Sequence, residues 1–288
     1  MMISFFKYIA QFSVISLFLT SCLPEPLEIT VPQAESKLVV SSQVIPGNFI
    51  AITVSRSFSA LEGSYGQGLD SNDIEKFLVK DAIVVLSYAN RVDTLISNDN
   101  TPGVYFSLLR LEEENENFDL YVYDPKTETS VTANSKMLNR VEVETAAIKA
   151  RATGTIIDTI YDLNYTFNDP AGDNWYVVNI FNPNNLQDQF SFGEDNSVYT
   201  QLISDKLYNT STIEINTEII DFNFTDTMVF MFSNISEDYF RFLDARQRGG
   251  NIISSITGEP INHPTNIQGG YGFFNSHNPS LRQIVIKK

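Results

Sequence analysis

KLVVSSQVIPGNFIAITVSR, residues 37–56, alternates apolar and β-branched residues with polar ones over two runs, KLVVSSQV (37–44) and FIAITVSR (49–56). A period of two sends successive side chains to opposite faces of a pleated strand, so each run reads as a strand with one face turned inward. The pattern recurs at AIVVLSY (82–88), RVDTLI (91–96), VYFSLL (104–109), FDLYVY (118–123) and TSVTA (129–133). Short strands at this spacing, punctuated by turn residues, predict an immunoglobulin-like antiparallel β-sandwich over residues 36–148.

Further strands are expected at GTIIDTIYDLNYTF (154–167), NWYVVNIF (174–181), VYTQLIS (198–204), TIEINTEI (212–219) and TMVFMFSNI (227–235). They predict a second, curved or barrel-like β domain over residues 149–288, with the boundary between 145 and 155. One α-helix is expected near 236–248, in SEDYFRFLDARQRGG (236–250). Ser236 can cap it, Glu237 and Asp238 sit at its positive end, Arg246 and Arg248 near its negative end, and Gly249 can stop it. Tyr239, Phe240, Phe242 and Leu243 form a broad apolar face expected to pack on the second sheet. The tail is read as a glycine turn followed by a closing strand, LRQIVIK (281–287).

The chain opens with MMISFFKYIAQFSVISLFLTSC (1–22), one positive charge at Lys7 ahead of an apolar run from Tyr8 to Leu19. This is the layout of a secretory signal, expected over residues 1–21. Gln11, Ser13 and Ser16 interrupt the run, which falls short of the roughly 20 apolar residues of a spanning helix. Leu19-Thr20-Ser21-Cys22 has the form of a bacterial lipobox, with Cys22 as the lipid-attachment residue, because its thiol can form a stable thioether. It is also the sole cysteine, so no disulfide framework competes for it. Residues 22–35, with three prolines in LPEPLEITVPQAE (23–35), read as the acylated cysteine and an extended tether.

The formal charge is −16, and removal of the signal, whose single charged residue is Lys7, takes it to −17. Such a surface repels phosphate backbones and argues against a nucleic-acid partner. The loop SALEGSYGQGLDSND (59–73) is long enough to attract a functional reading. The acidic run Glu112–Asn117 reads as a solvated hairpin connection and the segment Asn168–Asn174 as a tight turn, with a cation site as the alternative for each.

The order FMFSNI, ISEDYFRFLDA (235–245), EPINHPTNIQGGYGFF (259–274) and a final strand, together with the lipobox, Lys37–Val40 and the Ser55-Arg56 pair, resembles the Bacteroidetes-type outer-membrane lipoprotein family catalogued as domain of unknown function 4249. Its late motif is matched by Asn266-Ile267-Gln268-Gly269-Gly270-Tyr271-Gly272-Phe273-Phe274. The resemblance implies an outer-membrane lipoprotein of the cell envelope, of the kind found beside TonB-dependent transporters, and it supplies no activity. The tether's modest acidity, Glu25 and Glu28, leaves the periplasmic and surface faces open.

Catalytic machinery is not visible in the sequence. Gly269, Gly270 and Gly272 lack the Lys-Ser/Thr and the helix of a phosphate loop and read as a turn needing positive φ. The two histidines, His263 and His277, accompany no G-x-S-x-G elbow and no metal-ligand cluster. Among 35 acidic residues no carboxylate pair stands out for glycoside chemistry. Trp175 and Tyr176 read as core, with sugar stacking as the alternative. No catalytic residue, cofactor or metal is therefore expected. The sequence points to a membrane-anchored, non-enzymatic lipoprotein, an accessory or ligand-binding component of a TonB-dependent nutrient transporter. An extracytoplasmic polymer hydrolase and an adhesive or structural surface module are the alternatives.

Overall fold

The computed structural model describes residues 35–57, 75–112, 114–152, 159–183, 197–220, 224–249 and 263–287. Cys22, its lipobox residues Leu19, Thr20 and Ser21, the tether to residue 34 and the loop 59–73 lie outside the described residues. The first strands are β1 (Leu38–Val44), β2 (Phe49–Arg56), β3 (Ile83–Tyr88), β4 (Arg91–Asn98), β5 (Thr101–Arg110), β6 (Asn117–Asp124) and β7 (Thr129–Lys136). There follow β8 (Val143–Ala152), β9 (Thr159–Asn168), β10 (Trp175–Phe181), β11 (Tyr199–Ser204), β12 (Thr212–Ile220) and β13 (Thr227–Ile235). Helix α1 (Glu237–Gly249), β14 (Tyr271–Ser276) and β15 (Ser280–Val285) complete the chain. The protein is mainly β, as its alternating runs predict.

Alternation sets the first core. In β1 the residues Leu38, Val40, Ser42 and Val44 point inward, and in β6 Phe118, Leu120 and Val122 do. With Ile52, Val54, Val84, Leu86 and Phe274 they form one apolar cluster. Each such side chain contributes about 1.5–3 kcal/mol on burial. Tyr105 is tolerated there because its hydroxyl donates to the Val79 carbonyl and accepts the Ala82 N–H, both at 2.7 Å.

The seven strands expected over 36–148 are present, and they join in one sheet with a strand from the far end of the sequence instead of facing each other as two. The sheet order is β14-β1-β2-β5-β4-β3-β6-β7. β14 pairs with β1 in parallel, Val39 opposite Tyr271 through Val44 opposite Ser276. Its other side meets β7, where Thr132 and Gln268 exchange backbone hydrogen bonds and the Ser135 and Ser276 hydroxyls lie 2.8 Å apart. The two sheet edges therefore meet, and the sheet is nearly closed. Closure leaves little unpaired edge to recruit another chain.

The second β part has a four-stranded sheet, β11-β10-β13-β15, and a three-stranded one, β12-β9-β8. They enclose a second core in which Tyr165, Phe167, Tyr176, Phe230 and Phe232 stack, with Phe167 and Phe232 at 4.6 Å and Tyr176 and Phe232 at 5.0 Å. At their junction Ala150 N–H donates to Lys287 O at 2.7 Å and Lys287 N–H to Ile148 O at 3.1 Å. Arg282 adds hydrogen bonds to the Glu144 and Val143 carbonyls. The two sheets thus curve into one another.

The expected boundary between 148 and 149 falls inside β8, an unbroken strand. Residues 35–288 cluster as one unit, because β14 belongs to the first sheet while β15 belongs to the second. Helix α1 forms where expected. The Tyr239 N–H donates to Ser236 Oγ at 3.3 Å, and Glu237–Arg241 and Asp244–Arg248 pair along it. Its apolar face covers Val177 and Ile235 of the second part and also Phe273 of β14, whose ring lies 5.1 Å from those of both Tyr239 and Phe242. Among the described residues no helix is long and apolar enough to cross a membrane.

Candidate functional site

The glycine motif builds the β14 seam. Gly269 and Gly272 have φ of +85° and +96°. A Cβ on Gly272 would lie 2.0 Å from the Val40 carbonyl oxygen, and one on Gly270 2.5 Å from that of Leu38. Only glycine lets β14 approach β1 this closely. Asn266 completes the seam. Its side-chain amide donates to Phe274 O at 2.7 Å and Asn134 O at 3.0 Å, and its carbonyl accepts Phe274 N–H at 2.9 Å. Strands β14 and β7 are thereby tied through one side chain.

Two residues further on, the chemistry changes. Phe274 enters the first core and Phe273 faces the helix, so the two-residue period turns Asn275 toward the second part of the molecule. Asn275, Ser276, His277 and Asn278 are all buried, at 1–4% exposure, and so are Ser233 and Asn234 at the end of β13. The register that puts Phe232 opposite Ser280 carries Ser233 toward the 277–279 link. Seven buried side-chain polar atoms lack a hydrogen-bond partner among the described residues. Six of them belong to this group: Ser233 Oγ, Asn234 Oδ1, Asn275 Nδ2, Asn278 Nδ2 and both ring nitrogens of His277. Each such atom costs about 1–3 kcal/mol, so their concentration in one place calls for a reason beyond folding. Burial also pushes the His277 pKa down to about 4, which keeps the ring neutral.

A cavity of about 420 Å³ opens at this junction. It falls in the range typical of small-ligand pockets. The β1–β2 loop contributes Ile45 and Asn48, the segment after β5 contributes Leu111, Glu112 and Glu114, and the second part contributes Met231 and Leu281. Asn278, with its unpaired amide, lies in the wall, and Arg140 stands at the side. Arg140 meets Glu142 through Nε at 2.7 Å, leaving its terminal amino groups on the other edge of the guanidinium. Glu112 and Glu114 of the acidic run line this hollow and remain exposed, and the run is not the expected hairpin connection, because the strands it joins, β5 and β6, are not neighbours in the sheet.

A second hollow, of about 360 Å³, includes Arg56, Lys80, Asp124 and Lys126. Two of its cations are already paired within the protein. Arg56 pairs with the buried Asp124, which also accepts Lys126 N–H at 3.0 Å and Thr127 Oγ1 at 2.9 Å, and Lys80 pairs with Glu75. The Ser55-Arg56 pair thus ends in a structural clamp between β2 and the β6–β7 turn.

The other singled-out residues take structural places. Trp175 packs beside the helix cluster with Lys206 5.1 Å over its ring, and the fully buried Tyr176 donates to Asp169. In the 168–174 turn, Asn174 Nδ2 donates to Pro170 O and Gly172 O at 2.8 and 3.1 Å. His263 lies against Phe242, 6.5 Å between ring centres. Among the described residues no three His, Cys, Asp or Glu side chains group as metal ligands. The sequence reading passed over Ser233, Asn234, Asn275, Asn278 and Arg140. Its available signal was the polar quartet Asn275-Ser276-His277-Asn278 set between two apolar strands, which nothing but burial distinguishes from a loop.

No curated protein matches the chain. The model of the family described as Domain of unknown function (DUF4249) matches residues 24–282, from two residues past Cys22 into β15, and the chain belongs to that family.

Proposed function

We propose that the protein is a non-enzymatic lipoprotein of the outer membrane, held by lipid on Cys22, that serves a TonB-dependent nutrient transporter as an accessory or ligand-binding component. The observation that carries this reading is Leu19-Thr20-Ser21-Cys22 directly behind a short apolar run that follows Lys7. Each buried methylene of an acyl chain contributes about 0.8 kcal/mol, so several chains on one cysteine hold a protein firmly. Residues 23–34 span at most about 40 Å when fully extended, which bounds how far the β body stands from the lipid. The junction cavity supports the ligand-binding half of the reading.

Cells fed radiolabelled palmitate incorporate it into the wild-type chain, and Cys22→Ser abolishes both the label and the membrane fractionation. An unlabelled wild-type protein would sink the anchor. Affinity purification from solubilised membranes retrieves a TonB-dependent transporter, and its repeated absence would remove the accessory role. Turnover in a broad glycoside, ester and peptide screen would replace this reading with that of a hydrolase.

A further inference from the structure

The outer face of the first sheet turns apolar on four neighbouring strands, β5, β4, β3 and β6. Phe106 lies opposite Ile96 and Ile83 opposite Tyr123, while the Val84–Leu95 pair sets Ile83 beside Ile96. These four residues form one outward row across the strands. Thr94, Val85 and Tyr121 form the row beside it, and Leu108 follows Phe106 two residues along β5 on the same side. Leu108 is 72% exposed, and Ile83, Ile96 and Tyr121 are 42–49% exposed. Polar character returns at the margin, where Ser87 lies between Val92 and Asp119 and where Arg110 stands over the Phe49 ring.

We infer that this face lies on the lipid surface to which the protein is tethered. Leu108, Ile96 and Ile83 enter the boundary between head groups and acyl chains, and Tyr121 and Tyr123 sit at it with their rings in the apolar layer and their hydroxyls in water. Size and charge select lipid over a second copy. Strands about 4.8 Å apart and rows about 7 Å apart give the two rows an area of roughly 300 Å², whereas a stable pair of proteins takes about 800 Å² from each. Two copies of so acidic a chain also repel one another, and the same charge favours zwitterionic over anionic lipid. Residues 23–34 reach at most about 40 Å, so the face meets the bilayer at an effective concentration on the order of millimolar. A patch too small to hold a free protein is enough for a tethered one.

This inference rests on the anchor of the proposed function. The mature chain is coupled through the Cys22 thiol to a maleimide lipid in vesicles of phosphatidylcholine and phosphatidylethanolamine, with or without bromine on the acyl chains. Bromine is expected to quench the emission that Leu108→Trp adds and to leave that of Trp175, the sole native tryptophan, unchanged. Adding Ile83→Glu and Ile96→Glu, both at exposed positions, restores the lost emission while thermal unfolding confirms the fold. An unquenched Leu108→Trp chain, quenching indifferent to the two glutamates, or quenching of Trp175 instead would each overturn the inference. A Cys22→Ser chain that sediments as a dimer, and as a monomer once Ile96→Glu is added, would assign the face to a second copy and overturn it too. Coupling supplies the anchor chemically. Absent quenching therefore leaves acylation in cells standing, and absent palmitate label removes the anchor without altering what the coupled chain reads.

Discussion

Within thirteen residues the C-terminal segment contains both a closely bonded stretch and one with several unpaired buried side-chain atoms among the described residues. From Asn266 to Phe274 every device serves closure: glycines that admit β14 against Val40, and one asparagine side chain that ties β14 to β7. In Asn275, His277 and Asn278 buried side-chain nitrogens lack partners among the described residues, while Ser276 between them is bonded to Ser135. The first stretch is partly exposed, at Gln268, Gly269 and Tyr271, whereas the second is buried throughout. Satisfaction of hydrogen bonds separates them further, because an unmet buried donor or acceptor lowers stability while a met one contributes to it. The first stretch is built for the fold, and the second carries a cost that folding does not explain.

The strongest way to break this contrast is Gly272→Ala. Its Cβ has no room beside Val40 O, and its φ of +96° disfavours any side chain. The expected loss is about 4 kcal/mol or more, read as a large drop in the urea midpoint or as failure to fold. A mild effect would show that β14 is not clamped as described.

The next largest effect is a pH dependence. His277 stays neutral in the fold, its pKa held at about 4 by burial, whereas an unperturbed histidine titrates near 6.5. Between those values the unfolded chain takes up a proton that the folded chain refuses. Stability therefore falls as pH drops from about 6.5 to about 4, by about 3 kcal/mol at most, and is unaffected by this group above that window. Urea unfolding at a series of pH values measures the slope, and His277→Gln flattens it. An unchanged slope in the variant would place the histidine in water.

Asn266→Ala tests the satisfied side. It strands Phe274 N–H and two carbonyls, so a loss of about 2 kcal/mol is expected in thermal or urea unfolding. The smallest effect belongs to Asn275→Leu, which replaces an unpaired amide by an apolar group of similar volume. Stability is expected to change by less than about 1 kcal/mol, or to rise. If Asn275→Leu proved as costly as Asn266→Ala, the two stretches would not differ in the way their hydrogen bonds indicate.

Much of the fold was legible because half-buried strands display their period directly. The runs at 37–44, 49–56, 118–123 and 212–219 became β1, β2, β6 and β12 almost to the residue, and Ser236 capped α1. Strand β8, VETAAIKARA, carried no such signal. Its alanines, glutamate, lysine and arginine favour helix in isolation. It is extended because β9 offers it a pairing partner from Val143 to Ala152, a tertiary override of local preference. Strand β14 was equally opaque, since Gly272 and the two glycines just before the strand suggest a turn until β1 is seen alongside.

The sequence by itself determined the β class, most strand positions, the capped helix and the family, because period, capping and motif order are local properties that a linear chain displays. Tertiary structure alone decided that the last strands split between two sheets, that Gly270 and Gly272 face backbone carbonyls, and that Asn275–Asn278 are sealed beside a cavity. Those outcomes depend on which distant segments meet, and a polar quartet looks the same in the sequence whether water or a β-sheet covers it.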